Sequence, residues 1–210
     1  MIDAHTALAF FGLALVLCAA PGPDNLFVLM QSATHGRRAG FLVVLGLCTG
    51  LLVHTAAVVL GLAAVFAASA TAFTVLKVLG ASYLAYLAWQ AWHARGSGLG
   101  EGAGTGAPVA LWPLFLRGIV MNLTNPKVVL FFLALLPQFV DPQRGGMAFQ
   151  LASLGILFVL AALLTFGLLT VLAGQAGRWL RRSLTAQRRL NQGAALVFAA
   201  LAARLALAQR

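Results

Sequence analysis

The chain has 210 residues and a net charge of +10, and 61% of its residues are hydrophobic while only 9% are charged. A water-soluble domain has roughly a quarter of its residues charged, so this composition excludes an ordinary globular enzyme. Disorder is excluded as well, because so apolar a chain gains strongly from burial. We therefore expect a single membrane domain over residues 1–210, built from helices of about 20 residues each.

Six apolar segments follow one another along the chain. Each is expected to be a helix, because an open strand or a loop cannot satisfy its backbone polar groups in lipid. The first stretch of the chain has no lysine or arginine, which favours a retained first span over a cleaved signal peptide. The segments cover about His5–Thr34, Gly40–Phe66, Thr71–Trp92, Pro113–Phe139, Ala148–Ala173 and Leu190–Leu207.

The basic residues predict the orientation of these segments. The odd-numbered connections carry Arg37 and Arg38, Arg95 and Arg117, and five arginines between positions 178 and 189. The second connection is uncharged, and the fourth has one acidic and one basic residue. Positive residues collect in cytoplasmic loops, so the odd connections are predicted to be cytoplasmic and both termini to lie outside.

The two halves of the chain form a repeat. Repeat 1 covers about residues 1–95, a Gly-rich linker about 96–108, and repeat 2 about 109–210. Each half begins with a long segment that has a proline near its middle, and Pro23 aligns with Pro126. Three spans in each half give the halves opposite topology. The predicted fold is therefore an all-α membrane protein with six transmembrane helices in two inverted three-helix repeats, the first and fourth broken at proline, which is typical of secondary transporters.

Both breaks have a direct physical cause. Pro21, Gly22 and Pro23 interrupt the first segment, and Asn125 with Pro126 interrupts the fourth. Proline removes a backbone donor and clashes with the carbonyl one turn earlier. Each new half-helix then presents amide N–H groups and a positive dipole end, which suit a carboxylate, while the freed carbonyls suit an ammonium. A plain proline kink is the alternative, but two equivalent breaks, each followed by a charge, favour a binding site.

Those two charges are Asp24 and Lys127, at matching positions in the repeat. A charge at the bilayer centre is costly, and Lys127 is also opposed by the helix N-terminus, so it needs a partner, for which Asp24 is the candidate. The pair could simply lock the two halves together. The functional reading is that a substrate enters between them, with Asp24 facing its ammonium and Lys127 its carboxylate. We favour this reading, because buried ion pairs are poor stabilisers.

Four further polar residues belong to the candidate site. Asn25, Asn122 and Asn125 lie at the same depth as the charges, where they satisfy broken backbone, line a cavity, or do both. His54, near the middle of the second segment, is a candidate proton relay because histidine titrates near neutral pH. A histidine bonded to a neighbouring helix is the alternative for this position.

Implied partners are few. The high net charge would suggest nucleic acid in a soluble protein, but no basic run interleaves with aromatics on a polar segment, so we expect contact with anionic membrane lipid and no nucleic acid.

Gly46 and Gly50 form a GxxxG pattern, which serves either a homodimer face or packing within the subunit. Cys18 and Cys48 fall inside apolar runs, so we expect no disulfide, metal site or cofactor, with a redox pair across two spans as the alternative.

Two stretches of sequence resemble a known family. PGPDNLFVL at the first break and NLTNPKVVLFFLALLPQF at the second resemble the LysE/RhtB family of bacterial amino acid exporters, and the resemblance covers the whole chain. It implies a multi-pass inner-membrane exporter of amino acids or small derivatives, driven by the proton gradient. The family's motif positions fall on Pro21, Gly22, Pro23, Asp24, Asn125, Pro126 and Lys127.

The resulting hypothesis is a secondary-active exporter with alternating access around a midplane site. The substrate carboxylate docks on the half-helix N-termini and Lys127, and its ammonium on Asp24 and the unwound carbonyls around Ala20 to Gly22. A proton reaching Asp24 weakens its hold on the ammonium. Export of this kind needs no enzyme activity, and the sequence has no nucleophile paired with a base.

A cation or metal efflux carrier of the wider LysE superfamily is the alternative function. Such a carrier would need clustered His, Cys, Asp or Glu at the membrane midplane. The sequence offers only Asp24, His54 and Cys18 at that depth, so it is the weaker reading.

Overall fold

The computed structural model describes residues 2–20, 22–68, 110–173 and 184–207, and single positions between 74 and 93. All regular structure in these ranges is helical, and they contain no strand, which confirms the all-α prediction for the described part. Most of the third predicted span, the whole Gly-rich linker and Pro21 lie outside the described residues.

The first predicted break separates the first two helices. Helix α1 covers Ala4–Ala19 and is capped by Asp3, which accepts a hydrogen bond from the backbone N–H of Thr6 at 2.8 Å. Helix α2 covers Pro23–Ala68 and has Asp24 in its first turn. Proline fits the first turn of a helix, because an N–H there has no intrahelical partner. The chain is therefore interrupted where the prolines predict.

Helix α2 is not one straight rod. Gly36 has φ 84° and ψ 173°, a conformation open to glycine, and it divides the run into residues 23–35 and 37–68. A Cβ added to Gly40 would overlap the side chain of Ser32. Residues eight apart in a straight helix are about 12 Å apart, so the chain folds back at Gly36. This turn is where the first connection was predicted.

The second predicted break is also present. Helix α3 covers Leu111–Thr124, and α4 begins at Pro126 and ends at Leu130. The helical run continues as a π turn over Phe131–Leu135 and a 3-10 turn over Leu136–Phe139. The two arms on either side of Asn125 meet at a bend of 51°.

The remaining elements follow a short 3-10 turn at Pro142–Arg144. Helix α5 covers Met147–Leu172, within one residue of the predicted fifth span at each end. Helix α6 covers Leu184–Leu207 and so begins six residues before the predicted start at Leu190. The end of the basic fifth connection is thus the first part of the last helix, since nothing in residues 184–190 stops a helix.

Length and exposure agree with a membrane protein. By length and composition, Met147–Leu172 and the stretch Pro23–Gly61, most of which lies beyond the turn at Gly36, can cross a bilayer, and the bent pair around Asn125 would be a third span. Helix α5 alone reaches about 39 Å, more than the roughly 30 Å hydrocarbon core. Large apolar side chains face outward, with Leu60 78% and Leu207 80% exposed. An apolar outer surface of this kind needs lipid around it.

Small residues bring α2 against its two neighbours. A Cβ added to Gly46 would lie 3.0 Å from the Cα of Gly118 in α3, so these two backbones are in direct contact. On another side of α2, a Cβ on Gly155 of α5 would overlap the side chain of Thr55. The first glycine of the GxxxG pattern therefore packs within the subunit, and a homodimer face stays a prediction.

An aromatic cluster joins three elements on one side of the breaks. The Phe10 ring of α1 lies 5.9 Å from Phe131, 5.1 Å from Phe139 and 6.4 Å from Phe158 of α5, measured between ring centroids. Such ring pairs stabilise by about 0.5–1.5 kcal/mol each beyond the area they bury. The cluster fixes α1 against the helical arm that follows the second break, and so holds the two breaks beside each other.

Candidate functional site

Carbonyls at the C-terminal end of α1 are freed by the first break. The carbonyl of Leu17 has no intrahelical donor, because the residue four positions later is Pro21, which has no N–H. The ε-ammonium of Lys127 fills this position: its Nζ donates to Leu17 O at 3.2 Å and to Ala20 O at 3.3 Å. The C-terminal end of a helix attracts cations, so the arrangement is electrostatically favourable.

Asn25 completes the first break. Its Nδ2 donates to the Cys18 carbonyl at 2.8 Å, while its Oδ1 is buried and has no partner among the described residues. One end of the amide therefore satisfies broken backbone, which is one of the two sequence alternatives, and a cavity-lining role for the other end stays a prediction. Gly22 lies alongside, where an added Cβ would be 3.3 Å from Lys127 Nζ.

Asn125 links the two breaks directly. Its Nδ2 donates to Asp24 Oδ2 at 2.8 Å, across 101 positions of sequence. Its Oδ1 accepts from the backbone N–H of Lys127 at 3.0 Å and so caps the half-helix that begins at Pro126. Asp24 is only 2% exposed, and its other oxygen, Oδ1, has no partner in the described part of the chain. One carboxamide therefore holds both half-helix starts together.

The expected direct pair between Asp24 and Lys127 is not formed. Within the described residues, the ion pairs shorter than 4.0 Å are those of Arg144, and Asp24 with Lys127 is not among them. Asn125 takes one oxygen of Asp24, and the Lys127 ammonium donates to the carbonyls of Leu17 and Ala20 at the end of α1 instead. The correction follows from geometry: two α1 carbonyls lie within reach of the ammonium, and one amide already takes a carboxylate oxygen.

His54 belongs to the second break. Pro126 cannot donate to the Asn122 carbonyl, which instead accepts from the backbone N–H of Asn125 at 3.1 Å and lies 3.4 Å from His54 Nε2. A carbonyl only accepts, so Nε2 carries the proton in this contact. The ring also packs against Phe132, 5.5 Å away between centroids. The geometry thus has the histidine bonded to a neighbouring helix, and its role as a proton relay stays a prediction.

The missing side chain of Gly50 leaves the space that the Asn122 side chain occupies. A Cβ on Gly50 would lie 2.6 Å from Asn122 Oδ1, an oxygen that is buried and has no partner within the described ranges. The sequence analysis did not assign Gly50 to the site. Its GxxxG spacing was the available signal, because the second glycine of that motif falls one turn from His54 on the same helix.

A second polar cluster lies at the start of α1, away from the breaks. Arg144 Nη1 lies 3.1 Å from Asp3 Oδ2, and Arg144 Nε donates to Asp141 Oδ2 at 3.0 Å. Gln150, buried in α5, bonds both backbone groups of Asp141 at 3.0 Å and the Gly145 carbonyl at 2.7 Å. The cluster ties the chain terminus to the loop before α5. Sequence reasoning missed it, although a glutamine early in an apolar segment was a signal.

The pKa of Asp3 is lowered from its ordinary value. The backbone N–H of Thr6 is the main cause, followed by the Thr6 hydroxyl, with a smaller contribution from Arg144. All three stabilise the charged carboxylate. Asp3 therefore stays ionised to a lower pH in the folded protein than in an unfolded chain.

The described residues lend no support to a metal site. They contain no group of three or more His, Cys, Asp or Glu side chains arranged to hold an ion. Cys18 and Cys48 are both buried free thiols. Nothing in this part of the chain therefore favours the metal carrier alternative.

Sequence comparison identifies the family. The model of the LysE type translocator family matches residues 7–209. The chain belongs to this family. It is 35% identical to an uncharacterized membrane protein of Vibrio cholerae, with 86% of each chain covered. It is 32% identical to a homoserine/homoserine lactone efflux protein of Salmonella typhi over 82% of each, and 29% identical to a leucine efflux protein of Salmonella typhimurium over 67% of each. No solved structure matches significantly.

Proposed function

We propose that this translocator exports amino acids or small amino acid derivatives across the bacterial inner membrane by secondary-active, proton-coupled transport. The observation that carries the proposal is the bond between Asn125 and Asp24, which joins two helix breaks at a buried site with both signs of charge. Relatives named for the efflux of homoserine and of leucine support amino acids as the substrate class.

The two sides of the site suit the two ends of a zwitterion. Asp24 Oδ1, buried without a partner among the described residues, is an acceptor for an ammonium. The carbonyls of Leu17 and Ala20 at the end of α1, which already accept from a primary ammonium, are further acceptors. The substrate carboxylate is then received by Lys127 and by the first-turn amides of α2. Each end of the substrate meets an opposite charge, which offsets the cost of taking that charge out of water.

The transport cycle follows from the proposed architecture. Six helices in two inverted repeats, about 1–95 and 109–210, rock around the midplane site and open it alternately to each side. Both termini lie in the periplasm, the basic connections contact anionic lipid, and two copies form a homodimer. The paired breaks, each with a half-helix beginning at a proline, support the repeat.

Proton coupling is assigned to Asp24. Protonation removes the negative charge that holds the ammonium and so promotes its release. His54, in the part of α2 beyond Gly36 and 3.4 Å from the Asn122 carbonyl at the second break, is the proposed relay to Asp24. No cofactor takes part in this cycle.

Efflux from cells and from proteoliposomes tests the proposal. Cells that express the protein are grown with a panel of toxic amino acids, their analogues and metal ions, and purified protein is then reconstituted with each labelled compound that it protects against. We expect efflux of at least one amino acid, faster when a proton gradient is imposed. Efflux of metal ions alone, or no flux of any compound, would overturn the proposal.

A further inference from the structure

The Lys127 ammonium has backbone partners in the structure, which contains no substrate. This ammonium is bound to two backbone carbonyls and not to a carboxylate, although only 8% of the residue is exposed to solvent. Close by, Asp24 keeps one buried oxygen without a partner in the described part of the chain. The site thus already holds one primary ammonium at the place where a substrate ammonium would bind.

We propose that the Lys127 ammonium is a resident cation, which occupies the substrate's ammonium position in the empty transporter and is displaced when a substrate binds. The inference rests on the proposed function and deepens it. An incoming primary ammonium takes over the Leu17 and Ala20 carbonyls and reaches Asp24 Oδ1. Lys127 then turns to the substrate carboxylate, which becomes its new partner.

Chemical identity makes the exchange feasible. A lysine side chain and an amino acid both end in a primary ammonium with three donors, so each satisfies the same two carbonyls. An unoccupied site would leave the Leu17 carbonyl buried without a donor, which is energetically unfavourable. The resident cation removes this cost, and the empty transporter can therefore change conformation as readily as the loaded one.

Charge balance follows from the same exchange. A zwitterion adds one positive and one negative charge, so the net charge of the site is the same with and without substrate. A compound whose amino group is acetylated brings a carboxylate but no ammonium, and it cannot replace Lys127 at the carbonyls. The site is thus expected to select substrates that have a free primary ammonium.

Separating net efflux from exchange tests the inference. Net efflux requires the empty transporter to return, whereas exchange, with substrate on both sides, does not. In proteoliposomes, Lys127→Met is expected to slow exchange, because the substrate carboxylate loses its partner. Net efflux is expected to fall about tenfold further than exchange does, as the loss of a charged hydrogen bond in the empty site implies. Ser153→Ala, on the exposed face of α5, is the matched control and leaves both rates unchanged.

Chemical rescue adds a second measurement. Lys127→Ala leaves room for a small cation, so methylammonium at millimolar concentration is expected to restore its net efflux, while tetramethylammonium, which has no N–H donor, does not. If Lys127→Met and Lys127→Ala fail to fold, Lys127→Arg serves instead. Its guanidinium holds the two carbonyls with more donors, so the KM for exchange is expected to rise about tenfold.

Each outcome decides the inference. An unchanged ratio of net efflux to exchange in a folded Lys127→Met protein would overturn it, and so would an absence of rescue by methylammonium or an unchanged KM in Lys127→Arg. These results leave wild-type amino acid flux intact and so leave the proposed function standing. No amino acid flux by the wild-type protein would overturn both.

Discussion

The two helix breaks begin from the same defect and end with different chemistry. At each, a proline removes the donor for the carbonyl four residues earlier, and a second half-helix starts at a proline. At the first break the orphaned carbonyl of Leu17 is bonded by the ammonium of Lys127. At the second, the carbonyl of Asn122 is bonded by a backbone N–H and approached by His54. The proline is the same at both breaks. The group that bonds the orphaned carbonyl therefore decides whether the break carries a charge.

This difference assigns separate tasks to the breaks. The first combines a carboxylate with an unpartnered oxygen and a cation on carbonyls, so it suits recognition of a charged amino group. The second has neutral amides and a histidine, which suits structural support and proton movement. The following predictions test that division, from the largest expected effect to the smallest.

Asp24→Asn is expected to have the largest effect. The amide keeps the shape of the side chain and can still accept from Asn125, but it loses the charge that we propose to face the substrate ammonium. Gradient-driven export should fall roughly tenfold to hundredfold, because a hydrogen bond to a charged group contributes about 1.5–3 kcal/mol. Exchange should be less affected. Normal gradient-driven export by this variant, measured in proteoliposomes, would remove Asp24 from the coupling step.

Asn125→Asp tests the bridge between the breaks. A second carboxylate 2.8 Å from Asp24 introduces like charges in a buried site, while the cap on the second half-helix is retained. We expect lower thermal stability in detergent and weaker export at neutral pH, with partial recovery as the pH is lowered and one carboxyl is protonated. Asn125→Ser is the control, since serine keeps a cap without a charge. Equal behaviour of the two variants would show that a second negative charge beside Asp24 does not matter.

Glycine-to-alanine variants compare the breaks directly. A Cβ on Gly50 would lie 2.6 Å from Asn122 Oδ1, so Gly50→Ala must displace Asn122 and is expected to cost about 1–3 kcal/mol of stability. Gly22→Ala meets only the end of the flexible Lys127 side chain, at 3.3 Å, and should reduce net efflux more than stability. Gly61→Ala, with nothing within 4 Å, is the control and should be neutral or stabilising. Thermal unfolding followed by circular dichroism gives the ranking, and a reversed order would contradict it.

His54→Gln separates the two roles of this histidine. The contact with Asn122 O is long, at 3.4 Å, and a hydrogen bond contributes about 1 kcal/mol net, so stability should change little. If His54 is a proton relay, the pH dependence of export becomes flatter near neutral pH, where an unperturbed histidine titrates. An unchanged pH profile, measured from about pH 6 to pH 8, would leave the residue with a packing role alone.

Asp3 provides the smallest expected effect and a control outside the breaks. Its pKa is lowered in the folded protein, so its contribution to stability is present above the ordinary aspartate pKa of about 4 and is lost as the pH falls through the lowered value. Wild type should therefore be slightly more stable than Asp3→Asn at about pH 6, and the difference should shrink as the pH falls below the ordinary aspartate pKa. A difference in Tm that does not change with pH would mean that the carboxylate charge is irrelevant.

Several features of the site were predictable because they follow from local chemistry. Pro23 and Pro126 favour helix starts whatever the tertiary structure around them. The residue after each proline was expected to bring a charge to the same depth. The link between Asp24 and Asn125 could not be read from the chain, since it depends on how helices 101 positions apart lie against each other. The acceptors of Lys127 are backbone carbonyls. Every residue has one, so the residue types in the sequence could not identify them.

The amino-acid sequence alone determined the membrane class, the all-helical structure and the places where two helices break, because hydropathy and the missing proline N–H act within a few residues. Only the tertiary structure decided which atoms meet at those breaks. Gly46 and Gly118 let α2 and α3 approach, Asn125 came to bond Asp24, and the Lys127 ammonium reached carbonyls at the end of α1 in place of Asp24. These contacts depend on distances between helices, and such distances are set by packing across the whole bundle.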